Sequence, residues 1–434
     1  CQMNEYDSNR IYDLAKKINY TRTENLIDAD CYILNTCHIR EKATEKVYHD
    51  VGRVKKQFKD KKKPIVVVTG CVAQAEGDIL LKKENYIDAV VGPQSYHKFN
   101  ETILKIEKED LKKINSSNFD VIEKFDTLNH IRNSNNNVSS FLTIQEGCDK
   151  FCKFCVVPYT RGSEHSRSIE EIVRESKDLV ENGSREITLL GQNVNAYNFK
   201  GKKLSHIIRK ISDIKKLERI RYTTSHPIDF TSDLIEVYKH SSKLMPLIHL
   251  PVQSGSNKIL KDMNRKHTVE DYNKLIDKIK RINPRVEFSS DFIIGYPGET
   301  EKDFNETIKL LKKVKFINSY SFIFSPRPGT PAAKKEKVDE ILLKERLIIF
   351  QKIAEEIKLQ YKESLFNKES LVLFENKVSG KNEFFGRDEF SNSVIVKSDE
   401  NLKGKIKKVT ITNGNQNTLF GVIGDKSNKR EFAA

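Results

Sequence analysis

Short β-branched apolar runs, each followed by a longer helical stretch, recur along most of this 434-residue chain and constrain its fold more than any other feature. Cys31-Tyr-Ile-Leu-Asn-Thr36 reads as a strand ending at Cys37, with a helical stretch from Arg40 to about Phe58. Pro64-Ile-Val-Val-Val-Thr-Gly70 reads as a second strand ending at Cys71, followed by a helix from Ala73, and Ile87-Asp-Ala-Val-Val91 ends similarly at Gly92-Pro93-Gln94. Strands alternating with helices predict a parallel sheet with right-handed crossovers. The functional crevice of such a sheet lies outside the carboxyl ends of its strands. Cys37 and Cys71 both fall there, and Cys1 does too if a strand precedes it. Cys31 starts a strand rather than ending one and reads as an ordinary core cysteine.

A second series follows a polar stretch, His130-Ile-Arg-Asn-Ser-Asn-Asn-Asn-Val-Ser-Ser140, that reads as a linker. Its strands are expected at Phe141–Gln145, Glu186–Leu190, Ile220–Thr224, Leu247–Leu250, Val286–Ile294 and Ser319–Phe324. Eight strand–helix units would close a full barrel. Six suit an open, partial (β/α)6 barrel whose gap admits a large substrate. Polar runs follow the strands: Gly191-Gln192-Asn193, Thr224-Ser225-His226-Pro227, Gln253-Ser254-Gly255 and Asp291 through Gly295 to Thr300. Polar residues at such ends read as ligand contacts more readily than as packing. His226 and His249 are left without a metal role, because a lone histidine beside a proline or in a strand is more often a bonded core residue.

Between the first of these strands and its helix stands Cys148-Asp-Lys-Phe-Cys152-Lys-Phe-Cys155, three of the chain's seven cysteines. Zinc prefers paired knuckles or Cys/His sets that reach four ligands, and no second C-x2-C is present. A disulfide is unexpected in a long, lysine-rich, apparently cytosolic chain. Three thiolates on one loop can hold three irons of a [4Fe–4S] cluster, leaving one iron open to a small molecule.

The spacing Cys148-x3-Cys152-x-Phe154-Cys155 resembles the signature of the radical S-adenosylmethionine (SAM) superfamily. Glu146-Gly147-Cys148 through Val156-Val157-Pro158-Tyr159-Thr160-Arg161-Gly162, then Ser166-Arg167-Ser168, resembles the methylthiotransferases that act on tRNA. The resemblance implies that the open iron chelates SAM, that reductive cleavage yields a 5′-deoxyadenosyl radical, and that Phe154 packs near the adenine. It also implies SAM contacts at Gly191, Gln192, Asn193, Ser225, Gln253, Ser254, Asp291 and Gly295. Asn35-Thr36-Cys37, Arg40-Glu41-Lys42-Ala43 and Gly70-Cys71-Val72-Ala73-Gln74 resemble the auxiliary-cluster domain of that family. Cys1, Cys37 and Cys71 are therefore expected to hold a second [4Fe–4S] cluster. Cys1-Gln-Met-Asn resembles a domain start that normally follows a strand, so a truncated beginning is favoured over a lipidated Cys1.

After a long charged helix at about Asp339 to Phe366, short strands at Leu371–Phe374, Ser393–Lys397, Lys407–Thr412 and Thr418–Val422 predict a small five-stranded barrel. It resembles the TRAM domain, an RNA-binding barrel, with Lys377, Lys381, Arg387, Lys405, Lys407 and Lys408 facing phosphates and Phe384 and Phe385 stacking on bases. Arg161 and Arg167 join Lys377, Arg387 and Lys405 as candidate RNA contacts. A net charge of +15 suits a polyanionic partner, although lysine-rich composition alone is a weak guide. No apolar run approaches membrane-spanning length.

The expected α/β organisation is an auxiliary-cluster domain over 1–105, a linker over 106–134, a radical SAM core over 135–366 and a TRAM-like barrel over 367–430. The expected activity is methylthiolation of C2 of N6-dimethylallyl-adenosine at position 37 of tRNA, with SAM as methyl donor and as radical source. An electron donor such as flavodoxin or ferredoxin, a monomeric state, no membrane contact and a cytoplasmic location complete the expectation. The alternatives are a threonylcarbamoyl-adenosine or ribosomal-protein aspartate substrate, or a non-enzymatic iron–sulfur RNA sensor.

Overall fold

The computed structural model describes residues 2–38, 41–109, 113–118, 121–129, 131 and 136–424. The first unit is a parallel sheet of β1 (Cys31–Thr36), β2 (Ile65–Gly70), β3 (Ala89–Val91) and β4 (Ile114–Ser116), in that order. Both faces are apolar, as in sheets covered on both sides. Val67, Ala89 and Val91 pack under α1 (Gln2–Lys16) and α4 (Phe99–Glu109), whereas Val66, Val68 and Val90 pack under α2 (Glu41–Gln57) and α3 (Cys71–Lys83). The period-two alternation of side chains along β2 divides these two cores.

The linker expectation is corrected in part. Ile114–Ser116 pairs with Ala89–Val91 as the fourth strand, and α5 (Val121–Asn129) packs its Leu128 into the first unit's core. Main-chain hydrogen bonding to β3 decides the placement of a strand too short to show a pattern.

The second unit is an arc of six parallel strands in chain order: β5 (Ser139–Thr143), β6 (Glu186–Leu190), β7 (Arg219–Thr223), β8 (Leu247–His249), β9 (Glu287–Ile294) and β10 (Asn318–Ile323). An isolated bridge, Ile220–Leu244, joins its two halves. Helices between the strands begin at side-chain caps: Ser168 accepts from the Glu171 amide at the start of Ile169–Glu181, and Thr268 and Thr300 form capping boxes with Asp271 and Asp303. One large apolar core under the arc extends into the first unit, since Met3 and Tyr6 of α1 belong to it. The Tyr6 hydroxyl donates to Glu175 at 3.1 Å, which pins that docking.

A 24-residue helix, Glu340–Glu363, capped by Asp339, leads to a closed barrel of Glu369–Lys377, Glu383–Arg387, Ser393–Lys397, Ile406–Gly414 and Thr418–Val422. The fifth strand is the segment holding Phe384 and Phe385, and Phe384 is buried in the barrel's core, so its expected stacking role is corrected. The barrel seats on two arginines of β7. Arg219 donates to the carbonyls of Leu371 and Arg387 at 2.7 and 2.8 Å, and Arg221 to those of Asp388 and Glu389 at 2.8 Å each.

Candidate active site

The loop carrying Cys148, Cys152 and Cys155 leaves the carboxyl end of β5. Its backbone is fixed from three sides. The Gly147 amide donates to Gln192 Oε1 at 2.7 Å, the Lys153 amide to the Met263 carbonyl at 3.0 Å, and Asn264 Nδ2 to the Phe151 carbonyl at 3.0 Å. Lys150 pairs with Asp229 at 2.9 Å, and Asn193 Nδ2 reaches the same carboxylate at 2.7 Å. Phe154 packs beside Ile259, Met263, Tyr296 and Ala332.

Burial pushes the Cys148 thiol up to about 11 and that of Cys155 to about 12. These thiols hold their protons unless a metal displaces them. Among the described residues no three Cys, His, Asp or Glu side chains converge at metal-binding distance. Buried polar atoms without a partner surround the loop: Asn193 Oδ1, Ser225 Oγ, His226 Nε2 and His267 Nε2. Burial, then the neighbouring Arg265, pushes the His226 and His267 imidazoles down, His267 to about 4, so both are neutral near pH 7. Unpaired polar atoms lining a loop of three thiols fit a polar cofactor seated on a cluster.

The other expected contacts divide. Gly191 backs onto Gln145, where a Cβ would lie 2.6 Å from Oε1. Gln253 holds a positive φ of 76° and bridges to Phe292, while Asp291 pairs with His249 at 3.4 Å. Ser254 and Gly295 face the protein interior. The Ser254 hydroxyl meets Thr307 and accepts from the Ser256 amide, and a Cβ at Gly295 would strike Leu343.

At the edge of the first sheet, Thr36 pairs with Gly70, so Cys37 and Cys71 follow at one level. Cys1 lies outside the described residues. Cys31 is partly buried against the first unit's core, and burial pushes its thiol up to about 12. Cys37 and Cys71 open onto a cavity of about 820 Å3 that runs through the six-stranded arc. Inward residues of the strands line it, among them Phe141, Thr188, His249, Asp291 and Tyr320. Its far end is lined by Lys358, Lys362, Arg387 and Asn392.

Two expected RNA contacts are corrected. Arg161 and Arg167 are buried and spent on internal partners: Arg161 on Asp7 and Glu146, Arg167 on the Thr143 carbonyl and Glu175. Lys377 is exposed, Lys405 pairs with Glu400, and Arg387 pairs with Glu375 while its guanidinium lies 5.1 Å from the Phe385 ring. Tyr320 was not singled out from the sequence. Its ring stands half exposed in the cavity, edge-on to His249 at 6.0 Å, and the alternation along Ser319–Phe324 is the signal that could have found it.

Comparison with known proteins agrees with this geometry. Residues 142–311 match the radical SAM superfamily, and residues 1–92 match an uncharacterized protein family, UPF0004. The fold is similar to that of the radical SAM methyltransferase TsrM from Kitasatospora setae, with a TM-score of 0.56 at 12% identity over 76% of this chain and 74% of that one. The cysteine loop at the end of β5 thus belongs to a radical SAM enzyme, a class that works with SAM and a [4Fe–4S] cluster. The chain is 59% identical over 99% of its length, and 97% of the relative's, to the tRNA-2-methylthio-N(6)-dimethylallyladenosine synthase of Pelagibacter ubique. It is 49% identical to the synthase of the same name from Wolbachia pipientis, over 97% of each. The chain belongs to the family of tRNA-2-methylthio-N(6)-dimethylallyladenosine synthases.

Proposed function

We propose that this enzyme places a methylthio group on C2 of N6-dimethylallyl-adenosine at position 37 of tRNA. The single observation that carries the reading is the cavity, which joins Cys37 and Cys71 to the interior of the arc and opens beside the C-terminal barrel. C2–H of adenine is not acidic, so positioned acid–base groups do not suffice. SAM on a [4Fe–4S] cluster, when bound, supplies the homolytic chemistry that such a C–H requires.

The chain's own residues then bind, orient and exclude water. Cys148, Cys152 and Cys155 hold the first cluster, and the amide clamps at Gly147, Lys153 and Asn264 fix its loop before any ligand arrives. Asn193 and Ser225 present unsatisfied oxygens where a polar cofactor finds partners. Cys37 and Cys71, with Cys1, would hold a second cluster, which brings the count to two. Tyr320 offers a flat apolar face for the adenine, held in place by the His249–Asp291 pair. Lys358 and Arg387 at the mouth, with Lys377 and Lys405 on the outer barrel, meet the anticodon-stem phosphates of the tRNA. Electrons come from a flavodoxin- or ferredoxin-type donor, and the enzyme works as a cytoplasmic monomer. Among the described residues no helix is long and apolar enough to cross a membrane.

The deciding experiment is nucleoside mass spectrometry of tRNA from cells with and without the gene. The methylthio derivative of dimethylallyl-adenosine should vanish without it and return on complementation. Accumulation of any other unmodified nucleoside would overturn the substrate.

A further inference from the structure

Arg161 ends the short helix Val157–Arg161, which starts two residues beyond Cys155, yet its guanidinium crosses into the first unit. It is 3% exposed. Nε donates to Cys71 Sγ at 3.5 Å, one Nη to Asp7 Oδ2 at 2.7 Å and the other to Glu146 Oε1 at 3.4 Å. Lys124 completes the group, 2.5 Å from Glu146 and 3.6 Å from Asp7, and all four charged side chains are buried. Gln94 fixes the helix end by donating to the Arg161 carbonyl at 2.7 Å. Two cations and two carboxylates balance before any thiolate is counted. A Cys71 thiolate is therefore surplus negative charge beside a balanced buried group, and the Arg161 Nε–H is the donor aimed at it.

Resting on the reading that Cys37 and Cys71 hold a second cluster, we propose that Arg161 is a positioning residue that seats this cluster and raises its reduction potential through the N–H···S bond to Cys71. A donor on a ligand sulfur stabilises the reduced, more negative form, and hydrogen bonds to sulfur are an established lever on cluster potential. Asp7 draws on the same guanidinium and opposes the effect. The peptide that carries the first cluster's ligands thereby also sets the second cluster's electronics.

The test uses the full-length chain, reconstituted anaerobically, with Cys148, Cys152 and Cys155 changed to Ala so that one cluster remains. Iron and sulfide content check the reading itself: about four irons should stay. The inference is checked by redox titration followed by electron paramagnetic resonance. Arg161→Lys keeps the cation but loses the Nε donor, and should lower the potential by at least 59 mV, tenfold in the one-electron equilibrium. Asp7→Asn frees the guanidinium from its competitor and should raise the potential. Simple charge placement would leave Arg161→Lys unchanged, so an unchanged potential there overturns the inference. If Arg161→Lys does not fold, Asp7→Asn decides alone, and the inference falls if its potential does not rise. Loss of all iron in the parent would overturn the two-cluster reading and the inference with it.

Discussion

Gly147→Ala tests how the cysteine loop is held. Gly147 has φ of +76°, and a Cβ there would lie 1.9 Å from the Ser163 carbonyl oxygen and 2.6 Å from that of Gly162. Ordinary contact begins near 3.4 Å, so the facing backbone must retreat by about 1.5 Å. Neither obstacle is a flexible side chain. The left-handed conformation costs alanine about 1–2 kcal/mol. Retreat also breaks the Cys148 amide bond to the Gly162 carbonyl (3.1 Å) and loosens the Gly147 amide bond to Gln192 (2.7 Å), each contributing about 1 kcal/mol. Gly201 supplies a matched control: its φ is +79°, but no atom lies within 4 Å of the place an alanine methyl would take. Gly201→Ala meets only the conformational term. The difference, about 2 kcal/mol, favours departure from the native loop roughly thirtyfold. With Cys37 and Cys71 replaced, loop-bound iron and 5′-deoxyadenosine release should fall at least tenfold in Gly147→Ala and stay near normal in Gly201→Ala. Equal iron loading in the two variants would refute the steric argument.

Four further outcomes are expected. Cys31→Ala should keep full iron content and activity, and loss of a cluster there would mean a wrong ligand. Replacing Cys37 and Cys71 should leave SAM cleavage intact while abolishing methylthio product, measured together by mass spectrometry; product from that variant would remove the sulfur site from the first unit. Tyr320→Leu should raise KM for tRNA about ten- to hundredfold, the range of one lost base stack, while Tyr320→Phe stays near wild type. His267 is depressed to about 4 by burial, so its neutral form is the one the fold accommodates. Its contribution is complete above the ordinary histidine value of 6.5 and is lost as pH falls toward 4, on the order of 3 kcal/mol, and His267→Gln should flatten that part of the acid-denaturation curve.

The strands of the arc were legible because each is a β-branched or apolar run bounded by turn residues, and the structure places them within one or two positions of expectation. Ile114–Ser116 was not, because three residues with a polar centre carry no period and their identity as a strand rests on β3. The cysteines stand out by spacing and by their position after strands, which sequence records directly. Arg161 and Arg167 were misread because sequence shows a charge but not its burial. The carboxylate that holds Arg161 best, Asp7, stands 154 residues away in the chain. The cavity mouth was invisible for the same reason, since a cavity exists only once the strands and the C-terminal barrel are assembled.

The seat of the C-terminal barrel has a consequence for how this enzyme can diversify. Arg219 and Arg221 grip four carbonyls, not side chains, at Leu371, Arg387, Asp388 and Glu389. Any residue at those four positions presents the same acceptor, provided the strand and turn keep their path. The outer surface of the barrel can therefore be rewritten while its orientation over the cavity stays fixed. The two arginines have no such freedom, because lysine lacks the planar fork needed to span paired carbonyls. Surface chemistry and alignment are thus carried by separate atoms of the same module, and a change in one leaves the other in place.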